Sequence, residues 1–284
     1  MSRISHINQL PVHDLQDGAS PFLVRDIAHT NNYDFTQKHR HSYFEIIFFE
    51  KGGGVQLIDF SEVEVCDHSC YIIHPNQIHL LNRDPGSFGR LIQFRSVSVT
   101  SAQLFTMLRA RIWNGMGGTI FQKDEALFSR FTQLLDLFEN QGDGPNENER
   151  NQHLLQVLLF DLLGVTDQTV SAKHVDSDFN TFLKLVDTHF KEENSVKFYL
   201  NELNISDKKL SALTKQHFGF SSLQVIHHRM ILEIKRLLLF GESSHKEVAY
   251  SLGFDSPSSF SAFVKNKTSQ TPSELQAALE KIHQ

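Results

Sequence analysis

The sequence predicts an α+β chain of two domains: an amino-terminal antiparallel β-barrel with helices, then an all-α domain built from two helix-turn-helix units. Three observations predict it. Residues 25–99 hold short runs rich in β-branched and aromatic residues, parted by Gly, Pro and Asn turn signals. Near residue 124 the apolar spacing changes from the period of a strand to that of a helix. In the last part of the chain a helical pattern repeats after 50 positions, 206–215 being echoed by 256–265.

The strand runs are 43–49, 54–58, 69–73 and 90–94, broken at Gly52-Gly53-Gly54, Pro75-Asn76-Gln77 and Asp84-Pro85-Gly86. Such lengths and spacings suit an antiparallel barrel or a sandwich over about 20–100. In 124–140, Leu127, Phe131, Leu134, Leu135 and Phe138 recur at threes and fours, as on an amphipathic helix. Residues 141–146 end it, and 147–163 begin another, with Leu154, Leu155, Leu158, Leu159 and Leu162 in a broad apolar stripe. These helices either cover the sheet or form a dimer seam, because so apolar a helix exceeds what one sheet face usually takes up. The first domain is therefore set at 1–165, a polar linker at 166–178 and the second domain at 179–284. The second domain reads as helical to the end, with brief stops at Gly219, Gly241 and Gly253.

Composition excludes several classes of function. The 284 residues are 40% hydrophobic and 21% charged, enough for two ordinary domains with cores of their own. The amino-terminal residues show no apolar signal region, and no run approaches the roughly 18 apolar residues of a membrane span. Cys66 and Cys70 are too few for a disulfide scaffold or a four-thiolate zinc site. On a strand their spacing of four would hold them about 13 Å apart, so buried thiols are expected. A soluble cytoplasmic protein without a membrane partner is the expectation. The net charge of −6 divides into −8 for residues 1–178 and +2 for residues 179–284. Any polyanion partner is thus expected at the carboxyl-terminal half.

Six of ten positions in the repeat agree, identically or apolar for apolar. Each copy follows a short apolar segment and a break, so each reads as helix, tight turn, helix, the units spanning about 196–217 and 245–268. Ser206 and Ser256 (or Asp255) can cap the second helix, Pro257 suits its first position, and Gly253 can take the positive φ that stops the helix before. Leu210, Leu213 and Thr214 share one face, as do Phe260, Phe263 and Val264. The opposite faces carry Asp207, Lys208, Lys209, Ser211, Ala212 and Lys215 in one unit. In the other they carry Ser256, Ser258, Ser259, Ser261, Ala262, Lys265 and Asn266. Small, hydroxyl, amide and Lys residues on one face suit close approach to phosphates and base edges, so these are the candidate DNA-binding residues. Between the units, Leu223, Ile226, Met230, Ile231, Ile234, Leu237 and Leu238 mark a long helix that would brace them.

From about Phe182 to Gln276 the chain resembles the double helix-turn-helix domain of AraC/XylS transcriptional regulators. The resemblance rests on Leu203-Asn204-Ile205-Ser206, Gly219-Phe220-Ser221, and Arg229 followed by Glu233-Ile234-Lys235-Arg236. It continues through Glu247-Val248-Ala249, Leu252-Gly253-Phe254, Ser259-Phe260-Ser261, Phe263-Val264-Lys265 and Thr271-Pro272-Ser273-Glu274. The chain departs from the family at Ala212 and Ala262, where Arg is frequent, at Ser269, usually Gly, and at Gln276, where Arg is favoured. The departures imply fewer Arg contacts to DNA than is typical.

His39-Arg40-His41, Glu45 and the later His79 form a second pattern, followed through Gly52 and 75–79. On one continuous strand, His39, His41, Tyr43 and Glu45 would share a face. This spacing resembles the cupin barrel, which AraC-type sensors commonly carry ahead of their DNA-binding half. Three readings stand. The five residues His39, His41, Tyr43, Glu45 and His79 line an effector pocket; His39, His41, Glu45 and His79 bind a metal in a cupin enzyme; or they satisfy one another as interior polar groups. The fused DNA-binding half favours the sensor, so no metal, no cofactor and no enzymatic activity are expected. The alternative is a metal-dependent cupin enzyme with a helical interaction module. The regulator resemblance also implies that residues 1–22 can act as an arm. The expected partners are double-stranded promoter DNA, a small-molecule effector, a second copy of the chain in a homodimer, and RNA polymerase if the protein activates.

Overall fold

The computed structural model describes residues 12–15, 22–27, 37–113, 118–139, 147–166, 177–241 and 243–282. The chain divides into two compact units, one within residues 11–174 and one within 175–284. Most of the arm, most of the proposed linker and the break at 141–146 lie outside the described residues.

The amino-terminal unit runs β1 (Val12–His13), β2 (Phe22–Ile27), β3 (Arg40–His41), β4 (Phe44–Lys51), β5 (Gly54–Ile58), β6 (Ser61–Glu64), β7 (Ser69–Ile73), β8 (His79–Arg83) and β9 (Phe88–Phe94). It continues through α1 (Ala102–Trp113), β10 (Thr119–Phe121), α2 (Glu125–Glu139) and α3 (Glu147–Thr166). The five-stranded sheet has the order β10-β7-β4-β9-β2 and the three-stranded sheet β6-β5-β8, both antiparallel. The sheet-rich antiparallel domain is as expected, but among the described residues the ladders do not close into one barrel. No continuous strand covers 38–49 either, since β3 and β4 are separated at Ser42 and Tyr43.

The central strand β4 is buried from Phe44 through Phe49, so it reads as a continuous run rather than an alternation. Ile47 and Phe49 join Tyr71, Ile73, Leu91, Ile58 and Val65 in one cluster, where residues of both sheets meet. Phe48 meets Phe131 of α2, whose ring also stacks on Phe121. Thus α2 covers the large sheet, and α3 packs on α1, α2 and β10. The leucine stripe of α3 is largely consumed inside the unit: Leu155, Leu158, Leu159 and Leu162 are buried. Leu137, Val157 and Phe160 stay 41%, 48% and 42% exposed.

Cys66 and Cys70 are both buried free thiols, as expected, though not on one strand. Cys66 lies in the connection between β6 and β7, which turns at His68 (φ 44°).

The carboxyl-terminal unit is helical: α4 (Ser177–His189), α5 (Val196–Leu203), α6 (Asp207–Phe218), α7 (Ser222–Phe240), α8 (His245–Ser251), α9 (Pro257–Thr268) and α10 (Pro272–Ile282). The helix α7 packs against α4, α5, α6, α8, α9 and α10, the bracing role expected of it. Leu223 is a correction: at 41% exposed, it lies off the buried stripe. The side chains that replace it in the interior are charged. Arg229, Glu233 and Arg236 are all buried, Arg229 lying 4.0 Å over the Phe190 ring.

Helix stops also occur without glycine. Asn204 (φ 50°) and Ser269 (φ 63°) hold the left-handed backbone that Gly219 (φ 75°) holds after α6. A non-glycine residue is strained there by roughly 1–2 kcal/mol. Ser269→Gly should therefore stabilise the helical unit by up to about 1 kcal/mol, the larger entropy of the unfolded glycine offsetting part of the relief. Urea unfolding of the full chain checks this; an unchanged or lowered midpoint would refute it.

Candidate nucleic-acid interface and interior polar site

The two repeated units are helix pairs α5–α6 and α8–α9. Ser206 Oγ accepts from the backbone N–H of Lys209, and Ser256 Oγ from that of Ser259, each satisfying a donor at a helix start. Pro257 occupies the first turn of α9, and Gly253 takes φ 76° before it. Leu210, Leu213, Thr214, Phe260 and Val264 are buried, while Phe263 is half-buried against His227 and Phe254. The second helix of each pair thus has one face anchored by the fold.

On the other face Asp207, Lys208, Ala212 and Lys215 of α6 are exposed and Ser211 is half-buried, its hydroxyl donating to Asp207 Oδ1 at 3.5 Å. Lys209 is exposed as well, but its Nζ lies 2.5 Å from Asp178 Oδ2. On α9, Ser258, Ala262, Lys265 and Asn266 are exposed and Ser261 is half-buried. The hydroxyls of Ser256 and Ser259 are engaged in the cap, Ser259 Oγ donating 2.8 Å to the Ser256 carbonyl.

A neighbouring surface escaped the sequence reading. Phe220, Gln224, His227, His228, Ile231, Asn266 and Lys267 line a cavity of about 270 Å³ beside α9. Burial, with Lys267 nearby, depresses His227 to about 4, so it is neutral at pH 7. The adjacent histidines carried no ligand spacing, and only the packing of α7 on α9 brings them to Lys267.

In the amino-terminal unit the structure brings the interior pattern together. His39, His41, Tyr43, Glu45 and His79 are all buried. Although β3 and β4 are separate, an antiparallel bridge joins His39 to His79, with N···O distances of 3.1 and 2.9 Å. The turn before His79 is held by Asp59: Oδ2 accepts from Gln77 Nε2 at 2.9 Å and Oδ1 from the Ile78 amide at 3.1 Å. The His39 and His79 ring centres are 4.2 Å apart, and those of His41 and His79 4.9 Å. Tyr43 stacks on His41 at 4.1 Å. Glu45 Oε2 accepts from Gln93 Nε2 at 2.7 Å across the β4–β9 pair.

Burial holds these imidazoles neutral. It is the largest cause in each case, pushing His41 down to about 4, His39 below its ordinary value and His79 well below it. The Tyr43 hydroxyl is pushed up by burial and by Glu45. Two further residues belong here. Gln93 holds Glu45, and the His13 ring lies 5.2 Å from His39. Nothing local in the sequence marks either, because strand pairing places both. A second cavity of about 430 Å³, lined by Asp26, Ile27, Glu50, Phe88, Gly89, Arg90, Phe128 and Thr132, contains none of the five expected pocket residues.

Comparison with known proteins gives two family matches. Residues 21–163 match the AraC-like ligand binding domain, and residues 199–278 match a helix-turn-helix domain. The HTH-type transcriptional activator RhaS of Salmonella paratyphi A (strain ATCC 9150 / SARB42) is 20% identical over 249 residues, 87% of this chain and 90% of its own. The RhaS of Salmonella newport (strain SL254) matches to the same extent. Among solved structures, ToxT from Vibrio cholerae O395 is 15% identical with a TM-score of 0.39, over 92% of this chain and 99% of its own. The carboxyl-terminal domain of AraT, a response regulator from Geobacillus stearothermophilus, is 21% identical with a TM-score of 0.34, over 37% of this chain and 88% of its own.

Proposed function

Since this chain belongs to the family of transcriptional regulators that join an AraC-like ligand-binding domain to a helix-turn-helix domain, we propose that α6 and α9 enter successive major grooves of promoter DNA while the interior polar site of the first domain receives a small-molecule signal. Lys208, Lys215 and Lys265 supply phosphate or base contacts, and Ala212, Ser258, Ser261, Ala262 and Asn266 let the helices approach the base edges. Ser256 and Ser259 act chiefly as a cap, and Asp207 borders the face. The protein acts in the cytoplasm as a regulator and not as an enzyme, with domains 1–165 and 179–284 joined by a linker at 166–178.

The observation that carries this reading is the pair of capped helices presenting exposed lysines at matched positions, Lys215 and Lys265. We assign the homodimer contact to the exposed Leu137, Val157 and Phe160 of α2 and α3. An effector then acts by linkage, favouring one arrangement of the dimer by no more than its differential affinity for it. RNA polymerase is the further partner if the protein activates.

Genome-wide mapping of DNA bound by the full chain tests the reading, followed by affinity for a recovered site across a salt series. Specific sites with a steep salt dependence are expected; no enrichment, or affinity indifferent to salt, would reject it. A thermal-shift series with sugars, aromatic acids and other metabolites tests the sensor. The pair with Asp178 competes with phosphate for Lys209, so Asp178→Asn should tighten DNA binding by no more than about fivefold, the ~1 kcal/mol of an exposed ion pair. Weaker binding by that variant would refute the competition.

A further inference from the structure

We propose that His41, Glu45 and His79, with His39 beside them, bind a first-row divalent transition ion, which makes the amino-terminal unit a metal-receiving domain. The proposal rests on the reading of this interior site as the place where the regulator receives its signal, and it names the class of ligand. One donor atom from each of His41, Glu45 and His79 lies within 4.8 Å of the others, and all three residues are buried. Ligand atoms sit about 2.0–2.2 Å from such an ion, so closure onto it requires side-chain movements on the order of half an ångström.

The imidazoles are prepared for the task. His41 Nδ1 donates its proton to the Tyr43 carbonyl oxygen at 2.6 Å, which leaves Nε2 with the lone pair. That Nε2 is buried without a hydrogen-bond partner, and so are both ring nitrogens of His79. His39 Nδ1 likewise meets the Gln37 carbonyl at 3.1 Å. Donation of the second ring nitrogen to a backbone carbonyl is the usual support of a metal-bound histidine. Buried nitrogens with no partner are costly, and an ion would satisfy them together. Gln93 orients Glu45 through Oε2. Three imidazoles and one carboxylate select zinc, nickel, cobalt, iron or copper over magnesium and calcium.

The site ties together distant parts of the chain. His41 lies on β3, which pairs with β1, and His39 just before it; Glu45 lies on β4 of the five-stranded sheet, and His79 opens β8 of the three-stranded sheet. Binding would therefore link the two sheets, which is what a domain that reports an ion needs.

The test uses tag-free full-length protein stripped with a chelator and titrated calorimetrically with Zn²⁺, then with Co²⁺ for its visible spectrum, in the absence of DNA. One ion per chain is expected, unaffected by excess Mg²⁺, with a Co²⁺ spectrum lacking a thiolate charge-transfer band. His41→Gln and His79→Gln should each weaken binding at least tenfold, while His153→Gln, on the exposed face of α3, should not. Should either site variant fail to fold by circular dichroism, the wild-type stoichiometry, spectrum and Zn²⁺-induced rise in Tm decide alone. Absence of stoichiometric uptake, a thiolate band, or equal affinity in both folded site variants would overturn the proposal. DNA binding by the same wild-type preparation is measured separately. If it persists without ion uptake, the metal assignment falls and the regulator stands; if it is absent, the regulator reading fails on its own.

Discussion

Glu233→Gln should destabilise the carboxyl-terminal helices by about 3–5 kcal/mol, the penalty for breaking a buried charge network by removing one partner. Glu233 Oε2 lies 3.1 Å from Arg229 Nη1 and 3.7 Å from Arg236 Nη1, and all three side chains are almost fully buried. Arg229 Nε also meets Asp187 Oδ1 of α4 at 3.1 Å. Two guanidiniums of the helix that braces both helix-turn-helix pairs thus face Glu233 of the same helix and Asp187 of α4. Glutamine fills the same space but removes the negative charge that faces Arg229 and Arg236 in the interior. Hydrogen exchange of the full chain should show faster exchange across α7, with the amino-terminal unit unchanged. Combining Glu233→Leu with Arg236→Met should be less harmful than Glu233→Gln, since the Arg229–Asp187 pair then remains balanced. Equal or greater loss in the double variant would show that volume, not charge, dominates.

The paired substitution Lys215→Ala and Lys265→Ala should weaken promoter binding by about 2 kcal/mol, roughly 30-fold, with about 1 kcal/mol from each lysine. Both lie on the exposed faces of α6 and α9, in each case one position after a buried residue that anchors the helix, Thr214 or Val264. Each also sits in the last turn, where a cation complements the helix C-terminus, so a small loss of stability accompanies the loss of DNA affinity. The two effects separate by salt. Loss of two phosphate contacts lowers the slope of log affinity against log salt by about 2. Unchanged affinity and slope would show that these faces do not meet the duplex.

The helical half was largely legible because its determinants are local. A serine three residues from the amide it caps, a proline in the first helical turn and a glycine with positive φ specify their helix ends within one turn of chain. Ser269 was missed as a stop because the left-handed backbone there lacks its usual residue, whereas the break at Asn204 was read from the end of the apolar segment before it. Leu223 was misplaced because periodicity cannot tell which edge of a broad stripe meets a neighbour. On the sheet side, the runs 54–58 and 69–73 were found to the residue, whereas α1 and β10 were not foreseen. Closure into a barrel was not decided by any run of sequence, since it depends on which edges pair.

By itself the sequence determined the two-unit α+β organisation, the duplicated helix pairs with their lysine faces, and the set of histidines with Glu45. Only the tertiary structure decided that His39 bridges His79, that Gln93 holds Glu45, that Asp178 engages Lys209, and that charges brace α7. The physical reason is range. Caps, turns and apolar periodicity act between residues a few positions apart, whereas these pairs join groups far apart in the chain, and their partners are selected only when strands and helices pack.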